Sequence, residues 1–392
     1  MPARKHIAMV GFSTPSHVYP SLALIRELAT RNRVSYAISD KLAGLVQPAG
    51  AEVVAHPSTL PADDADWPAD AAATIARRLF LNEAIAVLPA LLEHYRHDRP
   101  DLLLYDVGAI AAPVLSARLG IPAVLLTPAC VAWEGFAEEN AVVLQALQDS
   151  PDGRSYHAAY TGWLRENGIE RGAWEWMADI QDVIALFPRV MQPHADRVAA
   201  SVRFVGPCLD PVRLADRSWA PPDDGQRVLL VSLGTVYNDR LDIFRACLEA
   251  FAGSGWHVVM AVGKRVDPAG LGPVPPGVEV RQSVPQLAVL AAASAFITHA
   301  GMASCGEALW FGVPTVAVPQ AADQFGNAVT LQALGVGRQL SSGQPAPAEL
   351  RSTVESVAGS PGMAASLARV RATVHDQGGV PRAVAAVESF LG

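Results

Sequence analysis

The chain has 392 residues, 51% of them apolar and 17% charged, with a formal net charge of −8. That length predicts two or three domains with well-filled cores and excludes a disordered chain. An acidic sequence without a basic run also excludes the usual nucleic-acid partners, although a helix N-terminus can hold a small phosphorylated ligand without net positive charge.

In chain order, "HIAMVGF" reads as a strand, and "PSLALIRELAT" puts Leu22, Ile25 and Leu28 on one face of a helix. "RVSYAIS", "PDLLLYD" and "IPAVLLT" continue the strand series. Apolar runs with little alternation, separated by helices, predict a parallel sheet covered on both faces. The stretch "VGFSTPSHVYP" carries His17 in a strand-to-helix turn, just before a helix expected to open at Pro20. No long apolar run precedes a small-residue cleavage site, and every apolar stretch is short and broken. The expectation is a soluble, cytoplasmic protein without a membrane contact. Cys130, Cys208, Cys247 and Cys305 are far apart and are expected to be buried, reduced thiols.

Around Pro211 the texture turns polar and proline-rich, in "CLDPVRLADRSWAPPDDGQR", before strands and helices resume with "RVLLVSLGT". The expected organisation is an N-terminal domain over 1–210, a linker over 211–225 and a C-terminal domain over 226–392. The last helical stretch, "PRAVAAVESFL", is free to pack on either domain. Both domains read as α/β, doubly wound and Rossmann-like. Such sheets bind ligands beyond the carboxyl ends of their strands, which predicts a cleft between two facing domains.

The segment "AFITHAGMASCGEALWFGVPTVAVPQAADQFGNA" (295–328) concentrates the chemistry. A strand turns at "HAGMAS" into a helix expected to begin near Ser304. Ser304 and Glu307 have the spacing of a capping box. The turn and helix start can instead hold a diphosphate on backbone N–H groups, with His299 as a further donor. Asp323 and Gln324 follow a strand, where they can bind sugar hydroxyls or cap the next helix.

These motifs, with "HVYPSL", "QPHADRV", "VSLGT", "VPQLAVL", "THAG" and "AVPQAADQFGNA", resemble family 1 glycosyltransferases across nearly the whole chain, and most of all the bacterial macrolide type. The resemblance implies the GT-B fold and an inverting, metal-independent transfer of a hexose from a UDP-sugar to a hydroxyl of a small hydrophobic acceptor. A macrolide, polyketide or flavonoid fits that description. No cofactor is implied, and the chain is expected to be a monomer or homodimer. The family's base falls on His17 and the carboxylate that orients it on Asp106. Gly234 and Thr235 fall on the loop that closes over the phosphates; His299, Gly301, Ala303 and Ser304 fall on the phosphate turn and helix start. Ser283, Val284 and Gln286 fall at the nucleoside, Glu307 on the ribose, and Asp323 with Gln324 on the transferred sugar.

Ser283 departs from the family, which commonly stacks an aromatic ring on the base there. Arg281 is one candidate to cover the base instead. Glu307 and Gln324 favour UDP-glucose, with a dTDP-deoxysugar as the alternative. Phe80, Trp133, Phe136, Trp174 and Trp176 are candidate walls of an apolar acceptor pocket.

The chemistry suits the residue types. A neutral imidazole can take the acceptor's proton, and a carboxylate on its other nitrogen fixes the tautomer. Four rival readings are weaker. Ser13 as an elbow nucleophile is opposed by Pro15, where the turn wants glycine. A dehydrogenase lacks G-x-G-x-x-G after the first strand. Asp64 and Asp66 form a D-x-D, but in a polar loop away from the donor motif. A protein that binds or epimerises sugar nucleotides without transferring them would not depend on an added acceptor.

Overall fold

A computed structural model describes residues 4–61, 73–179, 182–223, 225–235, 238–341 and 343–392. Asp64 and Asp66 lie outside the described residues. The chain divides into two units, one of 1–186, 194–208 and 380–392, the other of 187–193 and 209–379.

The first unit holds seven strands: β1 (His6–Val10), β2 (Arg33–Ser39), β3 (Glu52–His56), β4 (Leu102–Asp106), β5 (Ala123–Thr127), β6 (Val183–Ala185) and β7 (Val202–Phe204). Their order is β3-β2-β1-β4-β5-β6-β7, and every pairing is parallel. All five residues of β1 are buried because both faces are covered. Ile7 and Met9 join one core, with Leu22, Ile25 and Leu28 of the following helix. Ala8 and Val10 join the other, with Leu88 and Leu91 of the helix Ala73–His97.

The second unit holds β8 (Arg227–Ser232), β9 (Trp256–Ala261), β10 (Val278–Arg281), β11 (Ala293–Thr298), β12 (Thr315–Ala317) and β13 (Gly337–Gln339), in the parallel order β10-β9-β8-β11-β12-β13. Both sheets are therefore doubly wound, with order reversing between β1 and β4 and between β8 and β11. Loops leaving adjacent strands diverge at such a reversal and open a crevice at the carboxyl edge.

The final helix (Gly379–Glu388) buries Ala383, Val384 and Val387 in the first unit's core. The expected linker is structured: Asp210 caps a short helix, Pro211–Leu214, through Val212 N–H. Trp219 is 5% exposed, packs with Val228, Leu230 and Phe296, and donates Nε1–H to Glu279 at 3.2 Å. An indole finding a core outweighs the surrounding Pro and Asp signals. Cys208, Cys247 and Cys305 are buried, whereas Cys130 is exposed, because it follows β5 in a loop rather than packing in a core. Among the described residues, no helix is long and apolar enough to cross a membrane.

Trp219→Ala should cost about 3 kcal/mol of stability, from the lost packing and the emptied volume. A denaturant melt unchanged within about 0.5 kcal/mol would show that this segment is not anchored in the core.

Candidate active site

The first cluster lies at the β1/β4 reversal. The helix after β1 runs Pro15–Arg31, so it opens at Pro15 rather than at Pro20. Pro15 fits the first turn, where its missing N–H has no helical partner anyway. Pro20 falls inside the helix, where it removes only the bond to the Ser16 carbonyl. His17 is thus a first-turn residue, not a loop residue. Its Nδ1 lies 2.9 Å from Oδ1 of Asp106, the last residue of β4. Asp106 is 2% exposed, and the same oxygen accepts Gly108 N–H at 2.8 Å. A carboxylate accepts, so Nδ1 carries the hydrogen and Nε2 keeps its lone pair. Ser13 Oγ accepts Ser39 N–H at 3.2 Å, a tie between loop and sheet.

Phe12 packs edge-on to the His17 ring at 5.1 Å and to Phe80 at 4.5 Å, so Phe80 reaches the dyad through one intervening ring. Trp133 and Phe136 form an edge pair at 4.8 Å, and Trp133 Nε1–H donates to Glu139. Trp174 packs against Tyr156 and stacks on His157, while Arg171 lies over Trp176. Both indoles are partly buried and pack against the first unit's core.

A cavity of about 20 Å³ borders Phe12 and Gly108, with His56 and Glu83 also in its lining. It has room for about one water, not for an acceptor. Glu83 Oε2 accepts both N–H and hydroxyl of Thr59, at 2.6 and 2.7 Å, an arrangement the sequence reading missed.

The second cluster surrounds the β8/β11 reversal. Ala300 takes φ +63°, and the helix Met302–Phe311 then begins with Gly301 as its N-cap. Ser304 is accordingly the third helical residue, and the expected capping box does not form: no side chain caps this helix. The left-handed turn at Ala300 fixes the helix start earlier than the local Ser-x-x-Glu spacing suggests. The first backbone bond runs from Cys305 N–H to Gly301 O at 2.9 Å. The N–H groups of Met302, Ala303 and Ser304 therefore lie ahead of it, at the positive end of the helix dipole. Ala303 is exposed there and Ser304 is buried.

His299 lies between two glycines. A Cβ on Gly234, which has φ +81°, would fall 2.5 Å from His299 Nε2, and one on Gly301 would fall 2.4 Å from it. Neither position tolerates a side chain without moving the imidazole. Burial pushes the His299 pKa down to about 4, against a hydrogen bond from the ring to the Ser232 backbone carbonyl that opposes the shift. The ring is neutral at physiological pH and can act as an N–H donor, not as a cation. Thr235 is exposed just after Gly234.

Glu307 is buried and doubly engaged. Oε2 accepts Gln286 Nε2–H at 2.6 Å, and Oε1 pairs with Arg213 at 2.9 Å. Gln286 opens the helix Gln286–Ala292 and also reaches Ser304 Oγ at 3.5 Å. Ser283 is exposed, and Val284 packs at the edge of the core. Arg281 pairs with Glu279, which also accepts His257 Nε2–H and Trp219 Nε1–H.

After β12, Asp323 precedes the helix Gln324–Ala333 at its N-cap, without a side-chain capping bond. Gln324 Oε1 accepts the N–H groups of Gln320 and Ala321, at 2.7 and 3.0 Å. Buried Asn327 donates to Asp323 Oδ2 at 2.9 Å and to Ala300 O at 3.0 Å, tying the Asp323 loop to the His299 turn. Asn327 escaped the sequence reading, although its spacing of one helical turn from Asp323 was visible.

Known proteins share this architecture. The family model described as erythromycin biosynthesis protein CIII-like, C-terminal domain, matches residues 246–387. Oleandomycin glycosyltransferase of Streptomyces antibioticus is 42% identical over 391 residues, covering 98% of this chain and 91% of that protein. The crystal structure of the kitacinnamycin glycosyltransferase superposes with TM-score 0.91 at 38% identity, covering all of both chains. That of the calicheamicin glycosyltransferase superposes with TM-score 0.85 at 35% identity, covering 100% of this chain and 99% of the other. Similarity of that extent, over both doubly wound units, places the chain among the GT-B glycosyltransferases of family 1, in the macrolide and natural-product group.

Proposed function

We propose that the enzyme transfers a hexose, glucose from UDP-glucose, to a hydroxyl of a small hydrophobic acceptor, with His17 as general base and inversion at the anomeric carbon. The observation that carries this reading is the His17–Asp106 pair at 2.9 Å. Held with its hydrogen on Nδ1, the ring offers Nε2 to the acceptor hydroxyl. The buried carboxylate stabilises the imidazolium as it forms.

On the donor side, the helix start at Met302–Ser304 and the neutral N–H of His299 meet the charge that develops on the departing UDP. Glu307 takes the ribose hydroxyls, Asp323 and Gln324 the hexose, and the loop at Gly234 and Thr235 the phosphates. Ser283, Val284 and Gln286 lie along the nucleoside. Phe80, nearest the dyad through Phe12, belongs to the acceptor side; Trp133 and Phe136 bind the more distant part of the acceptor. The same chemistry needs no metal and no further cofactor. The oleandomycin glycosyltransferase, by its name, acts on a macrolide, which supports an acceptor of that class.

His17→Ala should remove transfer to hydroxyl acceptors by about 10³-fold or more while UDP binding, followed by calorimetry, stays near wild type. Turnover near the wild-type rate would rule out His17 as the base. His299→Gln keeps an N–H donor without a titrating ring. The ratio of wild-type to variant UDP affinity should therefore stay constant from about pH 8 to about pH 5. A wild-type advantage that grows on acidification would mean that His299 acts as a cation.

A further inference from the structure

Arg213 belongs to none of the motifs that define the donor site. It lies on the short helix Pro211–Leu214, within a segment whose composition reads as linker. Yet its guanidinium reaches Glu307 at 2.9 Å, and the Glu307 side chain is only 7% exposed. A buried carboxylate without a counter-charge is costly, so the pair fixes how that carboxylate can exist. Gln286 holds the other oxygen at 2.6 Å, and Trp219 anchors the segment just beyond Arg213 in the same unit's core.

The lone pairs give the consequence. An ionised carboxylate offers about four acceptor positions, two per oxygen. Arg213 takes one on Oε1 and Gln286 takes one on Oε2, which leaves one on each oxygen. Two free positions, one per oxygen, match the two vicinal hydroxyls of a ribose. A carboxylate free to rotate would not present them in advance, and ligand binding is stronger when such groups are already oriented. The guanidinium also offsets the negative charge of the carboxylate.

We propose that Arg213 is a specificity-determining residue of the donor site, holding the Glu307 carboxylate so that it accepts the 2′- and 3′-hydroxyls of a ribonucleotide. The proposal rests on the reading of Glu307 as the ribose ligand. Arg213 acts through Glu307 and is a positioning residue, not a catalytic one. It also explains how a doubly engaged carboxylate remains able to select ribose.

The test uses the full chain and compares UDP with 2′-deoxy-UDP, which differ only in the hydroxyl at issue. By calorimetry, wild type should bind UDP about tenfold more tightly, the scale of one hydrogen bond to a charged group. In Arg213→Ala and Arg213→Gln that preference should fall below about threefold, while Arg213→Lys should keep most of it. Gln retains the length of the stem, so one neutral variant remains informative if truncation to Ala harms folding. A purely structural role would lower the melting temperature and leave the ratio alone. An unchanged ratio in both neutral variants overturns the role of Arg213, as does tighter UDP binding, which would mean that Arg213 competes with ribose. No preference in wild type would instead overturn the reading of Glu307, and the proposal with it.

Discussion

Parallel strands send all their carboxyl ends to one edge, and reversing the strand order parts two neighbouring loops there. That constraint operates twice in this enzyme. Between β1 and β4 it brings the first turn of the Pro15–Arg31 helix to Asp106 and makes the His17 pair. Between β8 and β11 it brings Gly234 to His299 and Gly301. Neither cluster is local in sequence. Each exists because a strand end places one partner against a residue from a distant loop.

The two clusters differ in electrostatic design. The first pairs an imidazole with a buried carboxylate, an arrangement that becomes more favourable as the ring gains a proton. The second keeps its imidazole neutral by burial and relies on N–H groups and a helix dipole. In the proposed mechanism, base chemistry and leaving-group stabilisation call for histidines in opposite environments, the roles given to His17 and His299. Tight packing at Gly234 and Gly301 holds the second ring in place, and Asn327 ties its turn to the Asp323 loop.

Much of this was legible because long buried strands announce themselves. β1, β2, β4, β5, β8, β9 and β11 stand out as apolar runs. β6, β7, β12 and β13 have three residues each, too few for any period, and β3 and β10 are only partly buried. Helix starts were less legible where two local signals competed. Pro20 and Ser304 both carry good start chemistry, but Thr14–Pro15 and the left-handed turn at Ala300 decide the boundaries. Arg213 was invisible for another reason. Its partner is remote in the chain, and a polar, proline-rich neighbourhood gives no hint of a buried ion pair. The acceptor side was read least well, because aromatic residues report their apolar character but not their location. Phe80 packs on Phe12, which packs on His17, and Trp174 and Trp176 pack against the first unit's core.

The proposed transfer is a single displacement, in which one base acts on the acceptor and N–H groups stabilise the departing nucleotide. Its most direct test is the anomeric configuration of the product formed from α-linked UDP-glucose, read from proton coupling at the anomeric carbon. The account predicts the β-glycoside alone. An α-glycoside would contradict direct attack and, with it, the role given to His17.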